Sequence, residues 1–204
     1  MHKLSRFLSQ LLTVILLAGV VTACGRKEKK GRFLETAQQY FDAGEYEKAK
    51  LEYINVLRAD RNNLIATRQL GVIWSEQGVP ALAVPYLMQA GKLSPNDIRL
   101  RCRLASTFLA IREIERARVE ILAVLDLAPG DEEALLLLVD AARGPEDWPV
   151  VRQRMDKFPN RNTVAFHLAT VPFFLQKNDL LSGLDAVEKA LAIDPKSVKA
   201  HTVA

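Results

Sequence analysis

The side chains in this chain that are most suited to chemistry are two cysteines and three histidines among 204 residues. Neither His167 nor His201 has a second histidine or cysteine at the spacing of metal ligands. The sequence also lacks a phosphate-binding glycine loop, a Gly-x-Ser-x-Gly elbow and a His-Glu-x-x-His helix motif. We therefore predict that the chain is not an enzyme and uses no catalytic residue, metal, cofactor or small-molecule substrate.

Cys24 follows a segment that is organised like a secretory signal peptide. An apolar run occupies residues 11–21, the small residues Thr22 and Ala23 precede the cysteine, and the start is basic, with His2, Lys3 and Arg6. The alternative is an uncleaved membrane helix. Residues 7–23 are fewer than the roughly 20 apolar residues that a spanning helix needs, so the cleaved signal is favoured.

The segment Val21-Thr22-Ala23-Cys24 resembles the lipobox of bacterial lipoproteins. The resemblance implies cleavage between Ala23 and Cys24 and attachment of diacylglycerol to the Cys24 sulfur. Two or three acyl chains would anchor the mature protein to a membrane, where it would face the periplasm. Gly25 stands where an aspartate would favour the inner membrane, so the outer membrane is favoured. In an organism with one membrane, the protein would lie on its extracytoplasmic face.

The predicted mature chain is close to electrical neutrality. Removing residues 1–23 takes away two of the 28 lysines and arginines and none of the 24 acidic residues, which leaves 26 − 24 = +2. This balance does not indicate nucleic-acid binding. Residues 24–32 form a basic tether containing Arg26, Lys27, Lys29, Lys30 and Arg32. The tether either contacts anionic lipid headgroups or is simply solvated.

The rest of the chain repeats with a period of 34 residues. The small residues Ala49, Ala83 and Ala117 are separated by this step. The same step links three further sets: Tyr40, Trp74 and Phe108; Tyr53, Leu87 and Ile121; and Val56, Ala90 and Val124. Gly44 and Gly78 stand where each unit would turn between two helices.

This pattern resembles the tetratricopeptide repeat. The resemblance implies an all-α, right-handed solenoid of helix-turn-helix units over residues 33–197. The units span about 30–63, 64–97 and 98–131, followed by a degenerate unit at 132–161 and another at 162–197. Pro85 and Pro172 either kink helices or mark errors in these boundaries.

Residues 198–204 would begin a further repeat that then stops. The last complete helix would otherwise expose its apolar side, because solenoids normally end in a polar capping helix. We expect that the chain is a fragment of a longer protein. The alternative is that this edge pairs with a partner.

Cys102 is the cysteine that remains after Cys24. It has no intrachain partner for a disulfide, and we predict that it is a small buried apolar residue.

The acidic run Asp131-Glu132-Glu133 stands where a helix should begin, and we attribute it to helix capping.

In the tetratricopeptide family, the first helix of each two-helix unit lines a groove that binds the ligand. We therefore expect the function of this chain to lie in that groove. The family's ligand positions transfer to Ile65, Arg68, Val72 and Ser75 in the second unit. In the third unit they transfer to Arg99, Cys102, Ser106 and Leu109, with Arg103 beside them. Three arginines among apolar residues would suit a peptide with acidic side chains. The alternative is that these are ordinary solvated helix faces.

We therefore expect a membrane-anchored scaffold or adaptor that binds a peptide or protein in cell-envelope assembly or export. The layout is similar to that of the repeat lipoproteins of exosortase-linked (PEP-CTERM) exopolysaccharide systems. The alternatives are a structural or self-associating spacer without a dedicated ligand, and a repeat region of a larger protein.

Overall fold

A computed structural model describes residues 31–204, so the predicted signal peptide, the Ala23–Cys24 cleavage site and most of the tether lie outside the described residues. The described part is helical and contains no β-strand. It forms two compact units, residues 31–73 and Trp74–Ala204. The helices are α1 (31–42), α2 (Tyr46–Ala59), α3 (Leu64–Glu76), α4 (Pro80–Leu93), α5 (Ile98–Ala110), α6 (Ile114–Leu127), α7 (Glu132–Ala141), α8 (Trp148–Asp156), α9 (Val164–Gln176), α10 (Leu180–Ile193) and α11 (Val198–Val203).

Residues separated by the 34-residue step occupy equivalent buried positions. Ala49, Ala83 and Ala117 are fully buried, so a side chain larger than a methyl group has no space there. The sets that begin at Tyr53 and at Val56 are also fully buried. The aromatic set is buried at Phe108 and half-buried at Tyr40 and Trp74. The 34-residue period in the sequence therefore identified residues of the core.

The first helix of four units ends in the same hydrogen-bonded turn. The backbone N–H groups of Glu45, Val79, Glu113 and Asp179 each donate to the carbonyl oxygen five residues earlier, at 2.8–3.0 Å. The residue just before each donor has a positive φ: Gly44 (74°), Gly78 (72°), Arg112 (63°) and Asn178 (55°). This is the Schellman arrangement, in which glycine is favoured but not obligatory.

Side chains cap the first helices of the later units. Asp97, Asp131, Thr163 and Ser197 each accept a hydrogen bond from the backbone N–H three residues later, at 2.8–3.3 Å. The interpretation of Asp131 as a capping residue is thereby confirmed. Each cap satisfies an N–H group that has no partner inside its own helix, and this fixes where the helix begins.

The fourth helix pair departs from the repeat. α7 has 10 residues and α8 has 9, whereas α5 and α9 have 13 and α6 and α10 have 14. Gly144 and Pro145 lie in the connection between α7 and α8. Pro85 and Pro172 lie inside α4 and α9, so they do not mark boundaries.

Candidate functional site

The second compact unit presents one layer of first helices. α5 packs against α7, α7 against α9, and α9 against α11, while α6 and α10 pack against their own first helices. Consecutive first helices in contact create a continuous surface. Arg99, Arg103, Ser106 and Leu109, which were predicted to bind a partner, belong to α5 in this layer.

Arg99, Arg103 and Ser106 share one face of α5, because their spacing of four and then three residues corresponds to successive helical turns. Arg99 is exposed, whereas Arg103, Ser106 and Leu109 are half-buried. The Ser106 hydroxyl donates to the Arg103 carbonyl oxygen at 2.9 Å. The helix therefore brings the predicted residues of the third repeat together beside an apolar side chain.

Arg103 is engaged in an ion pair within this unit. Its Nη1 lies 2.7 Å from Oε1 of Glu76, and the two side chains are 41% and 46% exposed. A pair this exposed contributes at most about 1 kcal/mol of stability. It does, however, offset the positive charge that the sequence analysis assigned to the groove.

The same layer also has acidic positions that the sequence analysis missed. A 34-residue step from Ser106 leads to Asp140 on α7, whose Oδ2 lies 2.7 Å from Lys199 Nζ on α11. The same step from Arg99 leads to Glu133, which is exposed. Extending the period past α6 would have identified both residues. The charge of this surface is therefore mixed.

Arg68 and Val72 belong to the first compact unit. Both are half-buried, and they lie one helical turn apart on α3. The core of this unit includes Tyr53, whose hydroxyl donates to Gln38 Oε1 at 3.2 Å. Burial raises the pKa of Tyr53 to about 12, so the phenol stays protonated as a hydrogen-bond donor at neutral pH.

The placement of Cys102 among the groove positions is wrong. Its side chain is only 1% exposed, as its interpretation as a small buried residue predicted. Burial, followed by the nearby carboxylates of Asp131 and Glu133, raises the pKa of the thiol to about 12. A thiol that stays protonated is a poor nucleophile, so Cys102 is a packing residue.

The described residues offer little for metal or acid–base chemistry. They contain no group of three or more His, Cys, Asp or Glu residues that could hold a metal ion. The pKa of His167 is lowered, first because burial disfavours the imidazolium and then because Lys189 is near, so the ring is neutral at pH 7.

Among residues 31–204, no helix is both long and apolar enough to cross a membrane.

No protein-family model matches the chain, and no curated protein matches it. Solved structures do match. MamA from Desulfovibrio magneticus RS-1 is 22% identical with a TM-score of 0.69, over 83% of this chain and 97% of that chain. A tetratricopeptide repeat protein from Parabacteroides merdae is 18% identical with a TM-score of 0.71, over 86% and 71%. YrrB, described as a tetratricopeptide protein with an unusual peptide-binding site, is 20% identical with a TM-score of 0.52, over 83% and 71%.

These matches confirm the predicted fold class. The chain has an all-α fold of the tetratricopeptide solenoid type. At these identities the likeness concerns the fold, and function has to be argued from the surface residues.

Proposed function

We propose that this protein is a membrane-anchored scaffold that binds a peptide or protein partner through the exposed face of its first helices. The observation that supports this most is the continuous layer of α5, α7 and α9, on which charged side chains stand beside Leu109. The structural likeness to YrrB, described as having a peptide-binding site, adds support.

Membrane attachment is part of the proposal and rests on the lipobox around Cys24. Lipid on this cysteine would hold the repeats near the membrane, on the periplasmic side and most favourably at the outer membrane. The layout of anchor, basic tether and repeats supports a role in envelope assembly or export, with an exosortase-linked exopolysaccharide system as the favoured setting.

The anchor is tested by metabolic labelling with an alkyne fatty acid. The wild-type chain should take up the label and sediment with membranes, whereas Cys24→Ser should lose both properties. A Cys102→Ser variant is the matched control, because the buried thiol should not be acylated. Equal labelling of the Cys24→Ser chain would refute the lipoprotein assignment.

The binding face is tested by photo-crosslinking in cells. A photoreactive residue at Arg99 or Ser106 should give a discrete adduct, since both positions lie on the first-helix layer. The control is Val119, which is 66% exposed on the second helix α6. Adducts of equal yield at all three positions, or at none, would reject this face as the binding surface.

A spacer without a dedicated ligand is the second candidate function. The pairs Arg103–Glu76 and Asp140–Lys199 favour it, because they use charges of the first-helix layer within the protein itself. The two functions predict different results for Arg99→Glu. This charge reversal should abolish crosslinking in an adaptor and leave the phenotype of a spacer unchanged.

A further inference from the structure

The short helix α8 leaves part of α9 uncovered. α8 is five residues shorter than α6 and α10, which corresponds to about 7.5 Å of helix axis. It ends at Asp156, and Pro159 follows where a longer helix would have continued. The close packing seen between α4 and α5, and between α6 and α7, does not recur between α8 and α9.

A cavity of about 310 Å³ lies at this place. Its apolar lining is formed by Met155 of α8 and by Phe166, Phe173 and Phe174 of α9. The three phenylalanines are half-buried, although the core of this unit is close by. Their rings therefore form an open apolar surface of the kind that binds a side chain from another molecule.

Neighbouring aromatic residues hold two of these rings in place. The Trp148 ring meets Phe173 edge-on, with 5.3 Å between ring centroids. The Phe158 ring, which belongs to a buried residue, lies 6.0 Å from Phe166. Because both rings are already fixed, little conformational freedom would be lost when a ligand packs on them.

The rim of the cavity is positively charged. Arg152 and Arg161 lie over the faces of Phe173 and Phe166, with guanidinium-to-centroid distances of 5.1 and 5.7 Å. Lys177 adds a third cation, and Asp156 is the acidic residue of the lining. Three cations and one anion give the rim a net charge of +2. A guanidinium stacked on a ring retains N–H groups at its edge that can donate to a carboxylate.

We infer that this cavity is a second binding site, for a peptide segment in which a large apolar or aromatic side chain stands next to carboxylates. The apolar side chain would pack on the three phenylalanines, and the carboxylates would pair with Arg152, Arg161 and Lys177. An acidic-apolar peptide is favoured because its charge is complementary to the rim and its side chain matches the lining.

This site differs from the proposed first-helix face. Phe166, Thr170, Phe173 and Lys177 line the cavity and share one face of α9, by their spacing of four, three and four residues. Leu175, which corresponds in register to Leu109, lies roughly 160° around the same helix from Phe173 and Lys177, by the 100° step per residue. One helix would then present different surfaces to two partners.

The test begins with a randomised twelve-residue peptide library displayed on phage and selected on the full chain. We expect enrichment of sequences with an aromatic or large aliphatic residue beside aspartate or glutamate. A synthetic, fluorescein-labelled copy of the enriched sequence then supplies dissociation constants by anisotropy. No enrichment, or an enriched sequence without carboxylates, would overturn the proposal.

Matched variants assign the binding to this cavity. Arg161→Glu and Arg152→Glu should each raise the dissociation constant at least tenfold. Arg116→Glu is the control, because Arg116 also lies over a phenylalanine, 4.2 Å from the Phe108 centroid, but outside the cavity. It should change binding less than twofold. An equal loss in all three variants would show that the peptide responds to general charge and would refute the site.

Two further measurements separate other occupants from a peptide. Thr170→Trp should fill the cavity and weaken peptide binding with every charge retained, and circular dichroism should verify that the variant is folded. Vesicles of phosphatidylcholine with 30% phosphatidylglycerol should not displace the peptide. Displacement by these vesicles, but not by neutral ones, would show that the rim binds lipid headgroups and would overturn the peptide assignment.

Discussion

Replacing Asp147 should release the irregular connection between α7 and α8. Asp147 is buried, and its Oδ1 accepts from Arg118 Nη2 of α6 at 2.7 Å. Its Oδ2 accepts the backbone N–H groups of Arg143 at 2.7 Å and Gly144 at 3.4 Å. One carboxylate therefore fixes the connection and ties it to the preceding helix pair.

The expected loss for Asp147→Ala is about 3 kcal/mol. Each short hydrogen bond to a charged group contributes about 1.5–3 kcal/mol. Two such bonds are lost, and we take the low end because Arg118 is 23% exposed and regains some hydration. The loss for Asp147→Asn should be smaller, about 2 kcal/mol. One amide oxygen can replace only one of the two carboxylate oxygens that accept bonds.

Hydrogen exchange measured by mass spectrometry is the appropriate assay, because repeat proteins need not unfold in a single step. A loss of 3 kcal/mol corresponds to roughly 100-fold faster exchange in α7 and α8. Arg118→Ala and the double variant complete a mutant cycle, which should give a coupling energy of about 1–2 kcal/mol. A change in exchange below threefold for Asp147→Ala would refute the assigned role.

The stability that Asp147 contributes should decrease as the pH falls. The N–H of Arg143, followed by the charge of Arg118, lowers the pKa of Asp147 in the folded protein. As pH falls, the unfolded chain therefore binds the proton first. The difference in stability between wild type and Asp147→Ala should have its full value above about pH 5. It should shrink as pH falls below the ordinary aspartate pKa of about 3.9.

Four further predictions concern the backbone and the core. Gly78→Ala should destabilise the protein by about 1 kcal/mol in urea unfolding because Gly78 has a φ of +72°. Gly91→Ala, at a helical glycine with open space around its Cα, should stabilise by up to about 1 kcal/mol. In a Cys24→Ser background, Cys102 should react with a thiol reagent only as fast as the protein opens, because the thiol is buried with its pKa raised to about 12. Ala117→Leu should cost roughly 2 kcal/mol by overpacking a fully buried position, again measured by urea unfolding.

Each of these predictions has an outcome that contradicts it. Equal effects of Gly78→Ala and Gly91→Ala would show that φ is not the cause. Labelling of Cys102 at the rate of a free thiol in the native protein would contradict its burial. Val119→Leu, at a position that is 66% exposed, should be neutral, and a similar loss there would argue against overpacking at Ala117.

The turn between the two helices of a unit shows how far local sequence can predict this fold. Gly44 and Gly78 were identifiable because glycine adopts a positive φ without steric cost. Arg112 and Asn178 adopt the same conformation, held by the bonds from Glu113 and Asp179 to the ends of their helices. Residue type gives no signal at Arg112, whereas asparagine is enriched at positive φ and gives a weak signal at Asn178. The register of 34 would have located Arg112, and the shortened fourth unit hides the register at Asn178.

The sequence by itself determined the helical repeat, the core residues that recur at 34 residues and the helix cap at Asp131. Each depends on contacts that recur at a fixed spacing or within one helical turn, so the information is local or periodic. Cys102 was correctly predicted to be buried by its residue type and wrongly placed in the groove by family register. Burial depends on what packs above a position as well as on its place in the repeat.

Only the tertiary structure decided which charges pair and where the repeat leaves a gap. Arg103 meets Glu76, and Asp140 meets Lys199 from 59 residues away. Such distances follow from helix packing and not from spacing along the chain. The cavity beside α9 has the same origin. The sequence shows a degenerate unit at 132–161, but only the folded chain shows that the shortened α8 leaves an aromatic face of the next helix open.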